Sequence, residues 1–423
     1  MTGTAVKLTN DRTLKWTLYD FAVGFYLFTI ILADGTILFD LSVVLLVGLG
    51  VLRLLSTRRF SLNLFMGMMA LFIVYNAIII FAGVVEFPEV STKRLITVGF
   101  NFVVNILLAQ YLIEESNRKK CMRCFIALAM ICIVYILAFS WRSLFQGRFG
   151  VGTPYLFGLR GANGDFFLSN YVCRILYTAF VFCIYLRWNV SENNKSVKQA
   201  RKYLFLALIF AFFSAMTGSR AGIIFIAMFL VLSYVMKSRS FESKLKYLVI
   251  TVMVLGIVYL AIMYIPALYN VVGRRLEILL NGVLSDDGYA YRSTAYFRDN
   301  MRNLGRKWFL ERPIFGWGLD AFTQLSPYET YSHNNFIEIL VSSGIVGFLF
   351  YYGGIAFLFM KCSAARKNER SRTEAIVFFS FLAAAVFMNV AHVDYVSRDS
   401  LFLFYMTAAA VADWGKGGVI LKY

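Results

Sequence analysis

Residues 331–350 read YSHNNFIEILVSSGIVGFLF. From Phe336 onward this is an apolar run, interrupted only by small residues such as Ser342, Ser343, Gly344 and Gly347, and it reads as the start of a membrane helix. Ahead of it stand Tyr331, Ser332, His333, Asn334 and Asn335. Ser332 and Asn334 are suited to cap a helix. His333, one of only two histidines in the chain, therefore sits where a polar loop enters a membrane helix. One reading makes it a residue of the headgroup layer. The other makes it a proton acceptor, because a neutral imidazole takes a proton near pH 7.

The rest of the chain supports a membrane setting. Hydrophobic residues make up 59% of 423, and the mean hydropathy is +0.67. An ordinary soluble domain carries less apolar residue than this. Twelve apolar runs are expected to span, from Leu14–Leu32 to Leu401–Ala412, which predicts an all-α integral membrane protein of about twelve helices. The seventh, Tyr203–Met216, the eighth, Ala221–Met236, and the last are short. No small-residue cleavage site follows the first run, so it is expected to remain as an anchor.

The net charge of +18 does not point to nucleic acid in such a chain. Basic clusters at Arg53/Arg58/Arg59, Arg118/Lys119/Lys120/Arg123 and Lys361/Arg366/Lys367/Arg370/Arg372 fall on alternate loops. That bias places both termini in the cytoplasm. The six cysteines form no disulfide or metal pattern, and no P-loop, HExxH or EF-hand is present, so neither a metal nor a cofactor is expected.

The chain reads as one polytopic domain, 1–423, with two large extracytoplasmic loops at 140–165 and 266–333. The first is rich in glycine and carries Arg142, Arg148 and Arg160. The second contains Phe297, Met301, Leu304 and Trp308 at helical spacing, with Arg298, Arg302 and Arg306 four apart on a neighbouring face. This predicts an amphipathic helix within Thr294–Leu310 lying along the membrane surface. Pro313, Gly316 and Gly318 then form a return turn. Arg220, in TGSRAG between two short runs, is expected at the outer boundary, where an arginine is costly unless it meets an anion or a wet cavity. Arg174, eight residues past Phe166, shares a face with Asn170 and Tyr177 and suggests a polar lining. Arginine forks suit phosphate oxygens, and tyrosine and tryptophan rings suit sugar faces. Together they suit a lipid-linked diphosphate sugar.

TGSRAG before a short span, a long outer loop with an early arginine, a P-x-x-G-x-G turn and HNNFIEILVSSGIVG occur in that order. The pattern resembles the bacterial O-antigen polymerase and O-antigen ligase superfamily over about Tyr203–Met360. The resemblance implies a C-type membrane glycosyltransferase of the plasma (inner) membrane, metal-independent and inverting. It would act at the outer face on undecaprenyl-diphosphate-linked oligosaccharide. It implies His333 as the catalytic residue, with Arg220 and Arg292 on the diphosphate and Arg298 as the alternative to Arg292. Tyr331, Asn334, Arg148, Arg160 and Arg174 are candidates to line the cavity. The acceptor would be a second lipid-linked repeat unit in a polymerase of O-antigen or capsule, or lipid A-core in a ligase. The compact HNNFIEIL with GIVG favours polymerase. Membrane lipids and a chain-length regulator are the other partners implied. Two further classes compete. A lipid-linked oligosaccharide flippase would also have about twelve spans, but with charges near the midplane. A metal-dependent transferase would use Asp286 or Asp287, in a DDG that is equally a turn.

Overall fold

The structure is a computed structural model that describes residues 16–144, 148–156, 167–192, 196–274, 277, 289–415 and 418–422. Each of the twelve apolar runs is a helix. They are α1 (Leu18–Leu32), α2 (Ile37–Thr57), α3 (Leu64–Phe81), α4 (Pro88–Leu112), α5 (Glu115–Ser140), α6 (Ser169–Glu192), α7 (Val197–Met216), α8 (Arg220–Lys237) and α9 (Phe241–Tyr264). After the second large loop, which holds α10 (Tyr289–Glu311) and the short α11 (Ala321–Leu325), come α12 (Asn335–Ala365), α13 (Arg372–Met388) and α14 (Arg398–Asp413). Among the described residues nine helices, α2–α9 and α12, are long and apolar enough to cross a membrane. The chain is a multi-pass membrane protein.

Three of the twelve helices are shorter than the rest. α1, α13 and α14 have 15, 17 and 16 residues. At 1.5 Å per residue each falls short of a hydrocarbon core about 30 Å thick unless polar flanks extend it. The seventh and eighth runs, by contrast, gain polar turns at their ends and reach 20 and 18 residues. The all-α fold also carries one short two-stranded ribbon. β1 (Arg59–Asn63) pairs antiparallel with β2 (Gly418–Lys422), Arg59 opposite Lys422. Sequence periodicity cannot reveal a ribbon whose strands lie this far apart in the chain.

The helices alternate in direction. The end of α1, the starts of α4, α6 and α12, and the segment between α13 and α14 line one shared cavity, so they lie at one end of the bundle. At the opposite end Arg118 of α5 joins Glu374 of α13 and Asp413 of α14. The described part of the first loop, 148–156, is docked: Phe149 N–H donates to Met216 O (3.1 Å), Leu156 N–H to Leu32 O (2.7 Å), and the Phe149 ring is fully buried.

α10 forms as the spacing predicts and extends beyond it at its N-terminus. Met301 and Trp308 are buried with Phe322 and Val341, and Phe297 and Leu304 pack beside them. Its apolar stripe thus faces protein, on α11 and α12. Behind it the Pro313–Gly318 turn is bonded backbone to backbone with α12. Trp317 N–H donates to Val341 O (2.8 Å), Gly318 N–H to Ser342 O (2.9 Å) and Ile345 N–H to Pro313 O (2.8 Å). α12 is broken at Gly344, whose φ of 62° and ψ of −167° only glycine adopts readily. A Cβ there would lie 2.1 Å from Ile314 O. The serines and glycines of the opening stretch therefore form a break in the helix into which the loop locks.

Candidate active site

Four polar residues hold the start of α12. Asn334 Oδ1 accepts the N–H groups of Phe336 (3.0 Å) and Ile337 (3.2 Å), a side-chain cap. Ser332 N–H donates to Glu338 Oε2 (2.8 Å), and the Ser332 hydroxyl donates to Asn334 O (2.8 Å). Asn335 ties this point to the α13–α14 segment. Its N–H reaches Asn389 O and His392 O, and its Oδ1 accepts Asp394 N–H (2.9 Å) and Tyr395 N–H (3.1 Å). Between these anchors His333 is held at φ 54°, in the left-handed region. That conformation is uncommon for a non-glycine residue and persists where the surroundings enforce it. Here the capping and backbone bonds on either side of it do so.

The half-buried His333 ring lies beside Tyr331, centroids 4.2 Å apart, and near Phe297, centroids 6.4 Å apart. Burial and then the Arg298 charge hold its pKa below the usual imidazole value, so the neutral form persists to lower pH. Arg298 in turn is pulled below the usual guanidinium value, first by desolvation and then by the charge of Arg220. Arg220 opens α8, where Ser219, bonded through its hydroxyl to Asn170 Oδ1 (2.9 Å), fixes the turn. Among the described residues neither Arg220 nor Arg298 is ion-paired with a carboxylate. Two guanidiniums within electrostatic reach of each other, one of them also acting on His333, have the chemistry to hold an anion.

Next to this cluster opens a cavity of about 800 Å³. Tyr331 and Arg148 line it, as do Asn170 and Arg174 of α6. Arg174 Nε stands 2.6 Å from Asp399 Oδ2 without the alignment of a hydrogen bond. Arg94 bonds Asp320 Oδ2 at 2.5 Å, and Asp34 pairs with Arg398. His392 also faces the cavity. Burial, followed by the charges of Arg174, Arg298 and His333, lowers its pKa to about 4. Asp394, fully enclosed behind it, is raised by burial to about 6 although Arg174 opposes the shift.

The structure thus brings together His333, Tyr331, Arg298 and Arg220, with Arg174 and Arg148 in the adjoining cavity. Arg292 lies on the backbone of α10, and its side chain is outside the described residues, as is Arg160 and the Asp286–Asp287 pair. Asn334 is turned to the helix end as its cap, which leaves its carbonyl oxygen engaged. The Asn170–Arg174–Tyr177 face is divided: Tyr177 is buried and stacked on Phe225 at 3.9 Å. α6 starts at Ser169, so Arg174 is only about one and a half turns from its end, shallower than a helix from Phe166 implied. Sequence reading missed His392, Asp394, Arg94 and Asp320. The segment AHVDYVSRD, 391–399, held a signal: the second histidine and two aspartates between apolar runs. Arg94 and Asp320 gave none, being 226 residues apart.

Residues 204–352 match the model of the family described as O-antigen ligase. The match covers about a third of the chain and bears out the resemblance to the O-antigen polymerase and ligase superfamily. The matched segment holds Arg220, Arg298, His333 and Glu338, while Arg94, Arg148, Arg174 and His392 lie outside it. No curated protein matches the chain.

Proposed function

We propose that this protein polymerises a surface polysaccharide by moving an undecaprenyl-diphosphate-linked glycan onto a sugar hydroxyl of a second lipid-linked repeat unit. The observation that carries the reading is that Arg298 lies within electrostatic reach of Arg220 and of His333, with both arginines unmatched by carboxylates among the described residues. Like charges held together cost free energy, and a bound diphosphate reverses that cost. The guanidinium forks bind its oxygens and stabilise the negative charge that grows as the lipid diphosphate leaves.

His333 accepts the proton of the acceptor hydroxyl. The oxygen lone pair forms the new bond to the anomeric carbon, the bond from that carbon to the phosphate oxygen breaks, and the lipid diphosphate departs with the electron pair. One displacement inverts the anomeric centre and requires no metal. Bound diphosphate also offsets the field of Arg298 on His333, so the imidazole becomes more basic when the donor is in place. In this reading the His333 end faces the outside of the plasma membrane, both termini are cytoplasmic, and the loops 140–165 and 266–333 are external. Arg292, on α10, is a further candidate for the diphosphate.

The ligase reading, transfer to lipid A-core, is favoured by the description of the matched family itself. Purified protein incubated with a defined undecaprenyl-diphosphate repeat unit separates the two. A ladder of products supports polymerase. Transfer only when lipid A-core is added supports ligase, and no transfer with either acceptor rejects both.

A further inference from the structure

The cavity beside His333 differs in chemistry from the arginine cluster at its edge. Arg94, Arg148 and Arg174 line it, against Asp34, Asp320 and Glu338, so its formal charges cancel. Most of these charges are committed to partners: Arg94 to Asp320, Arg174 to Asp399, Asp34 to Arg398. A paired arginine or carboxylate still has N–H donors or lone pairs for hydroxyl groups, but little net field to attract an ion. The rings of Tyr155, Tyr171 and Tyr331 add apolar faces with polar edges. A volume of about 800 Å³ is within the range of pockets that enclose a small organic ligand.

We infer that this cavity is the subsite for the acceptor glycan and that it takes an uncharged, hydroxyl-rich sugar, with His392 and the Arg94–Asp320 pair as its selecting contacts. The inference rests on the transferase reading above. The cavity touches Tyr331, whose ring lies against His333, so a sugar held there presents its hydroxyl to the proposed base. Its lining also draws on two parts of the chain. Tyr331, Asp320 and Glu338 belong to the segment that matches the family, while His392, Arg94, Arg148 and Arg174 come from outside it. A shared segment that carries the reaction, completed by outlying residues that choose the sugar, is the division this arrangement provides. His392 suits such a role, because its neutral imidazole offers one donor and one acceptor without a charge. Thr323, near Asp320 Oδ1 at 3.4 Å, contributes a further hydroxyl to the wall.

The test is direct binding to purified full-length protein in detergent, by intrinsic fluorescence and calorimetry. The probe is the repeat-unit oligosaccharide released by mild acid from the cell's own lipid carrier, which has no diphosphate. Its Kd should change less than about twofold between low and high salt, because an uncharged ligand is not screened. His392→Ala and Thr323→Val should each raise Kd about 3- to 10-fold, the range for one lost hydrogen bond. These substitutions lie on different elements, so a folding failure in one leaves the other to decide. Glu369→Gln, in an exposed pair with Arg239 away from the cavity, should leave Kd unchanged. Steeply salt-dependent binding, binding lost with Arg220→Ala but kept in both cavity variants, or no binding at millimolar oligosaccharide would each overturn the subsite. Failure of the transferase reading looks different: wild-type protein binds the oligosaccharide but transfers nothing from the lipid-linked donor.

Discussion

The two ends of this bundle treat arginine in opposite ways. At one end Arg118 is fully buried, and all five of its N–H donors are engaged. Nε and Nη2 bind the two oxygens of Glu374 at 2.8 and 2.9 Å, Nη2 also reaches Asp413 at 2.8 Å, and Nη1 donates to Leu112 O and Ile113 O. Glu374 is further held by Trp414 Nε1 (3.1 Å) and Tyr185 OH (3.4 Å). At the other end Arg220 and Arg298 approach each other with no carboxylate between them among the described residues. The first arrangement is complete and joins α5, α13 and α14. The second is open, and in the proposed reading a bound diphosphate completes it. A closed charge network reports on folding, and an open one on binding.

The sharpest break of this contrast is His333→Ala. Removing a general base should lower glycan transfer by about 100- to 10,000-fold, with folding retained, in a lipid-linked donor assay at matched protein levels. Near-normal transfer would remove His333 from the mechanism. At the opposite end Arg118→Met leaves Glu374 buried without its cation. Loss of one partner of a buried pair costs roughly 3–5 kcal/mol, read as a lower thermal midpoint in detergent. If Arg220→Gln destabilised the protein as much, the distinction between the ends would fail, because relief of the Arg220–Arg298 repulsion should leave stability equal or higher.

Smaller effects refine the picture. Arg220→Lys keeps the charge but loses the planar fork, and transfer should fall about tenfold with an unchanged thermal midpoint. The smallest effect is on pH dependence. Arg298 disfavours imidazolium at His333, so the neutral base survives below the usual histidine range. Arg298→Gln lifts that field, and the acid limb of kcat/KM for the remaining activity should move to higher pH. A shift to lower pH, or none, would show that Arg298 does not act on the base.

Sequence reading succeeded where the information is local. The twelve helices follow from runs of apolar residues, because each helix satisfies its own backbone and needs only a hydrophobic surface. The α10 helix followed from spacing at Phe297, Met301, Leu304 and Trp308. His333 stood out because its neighbours spell a helix start, and Asn334 does cap that helix. Sequence reading stopped where the information is relational. That Arg298 comes within reach of Arg220 and His333 depends on how α10 docks on α12, which turns on a helix break at Gly344 accepting the Pro313–Gly318 turn.

By itself, then, the chain order determined a polytopic helical protein with a histidine at a helix entrance and arginines near its loops. Only the tertiary structure decided which arginines are already neutralised and which are left open. Arg94 finds Asp320, Arg174 finds Asp399, and Arg118 finds Glu374 across 226, 225 and 256 positions of chain. Whether a charge is closed or open depends on what lies a few ångströms away, and sequence separation carries no record of that distance.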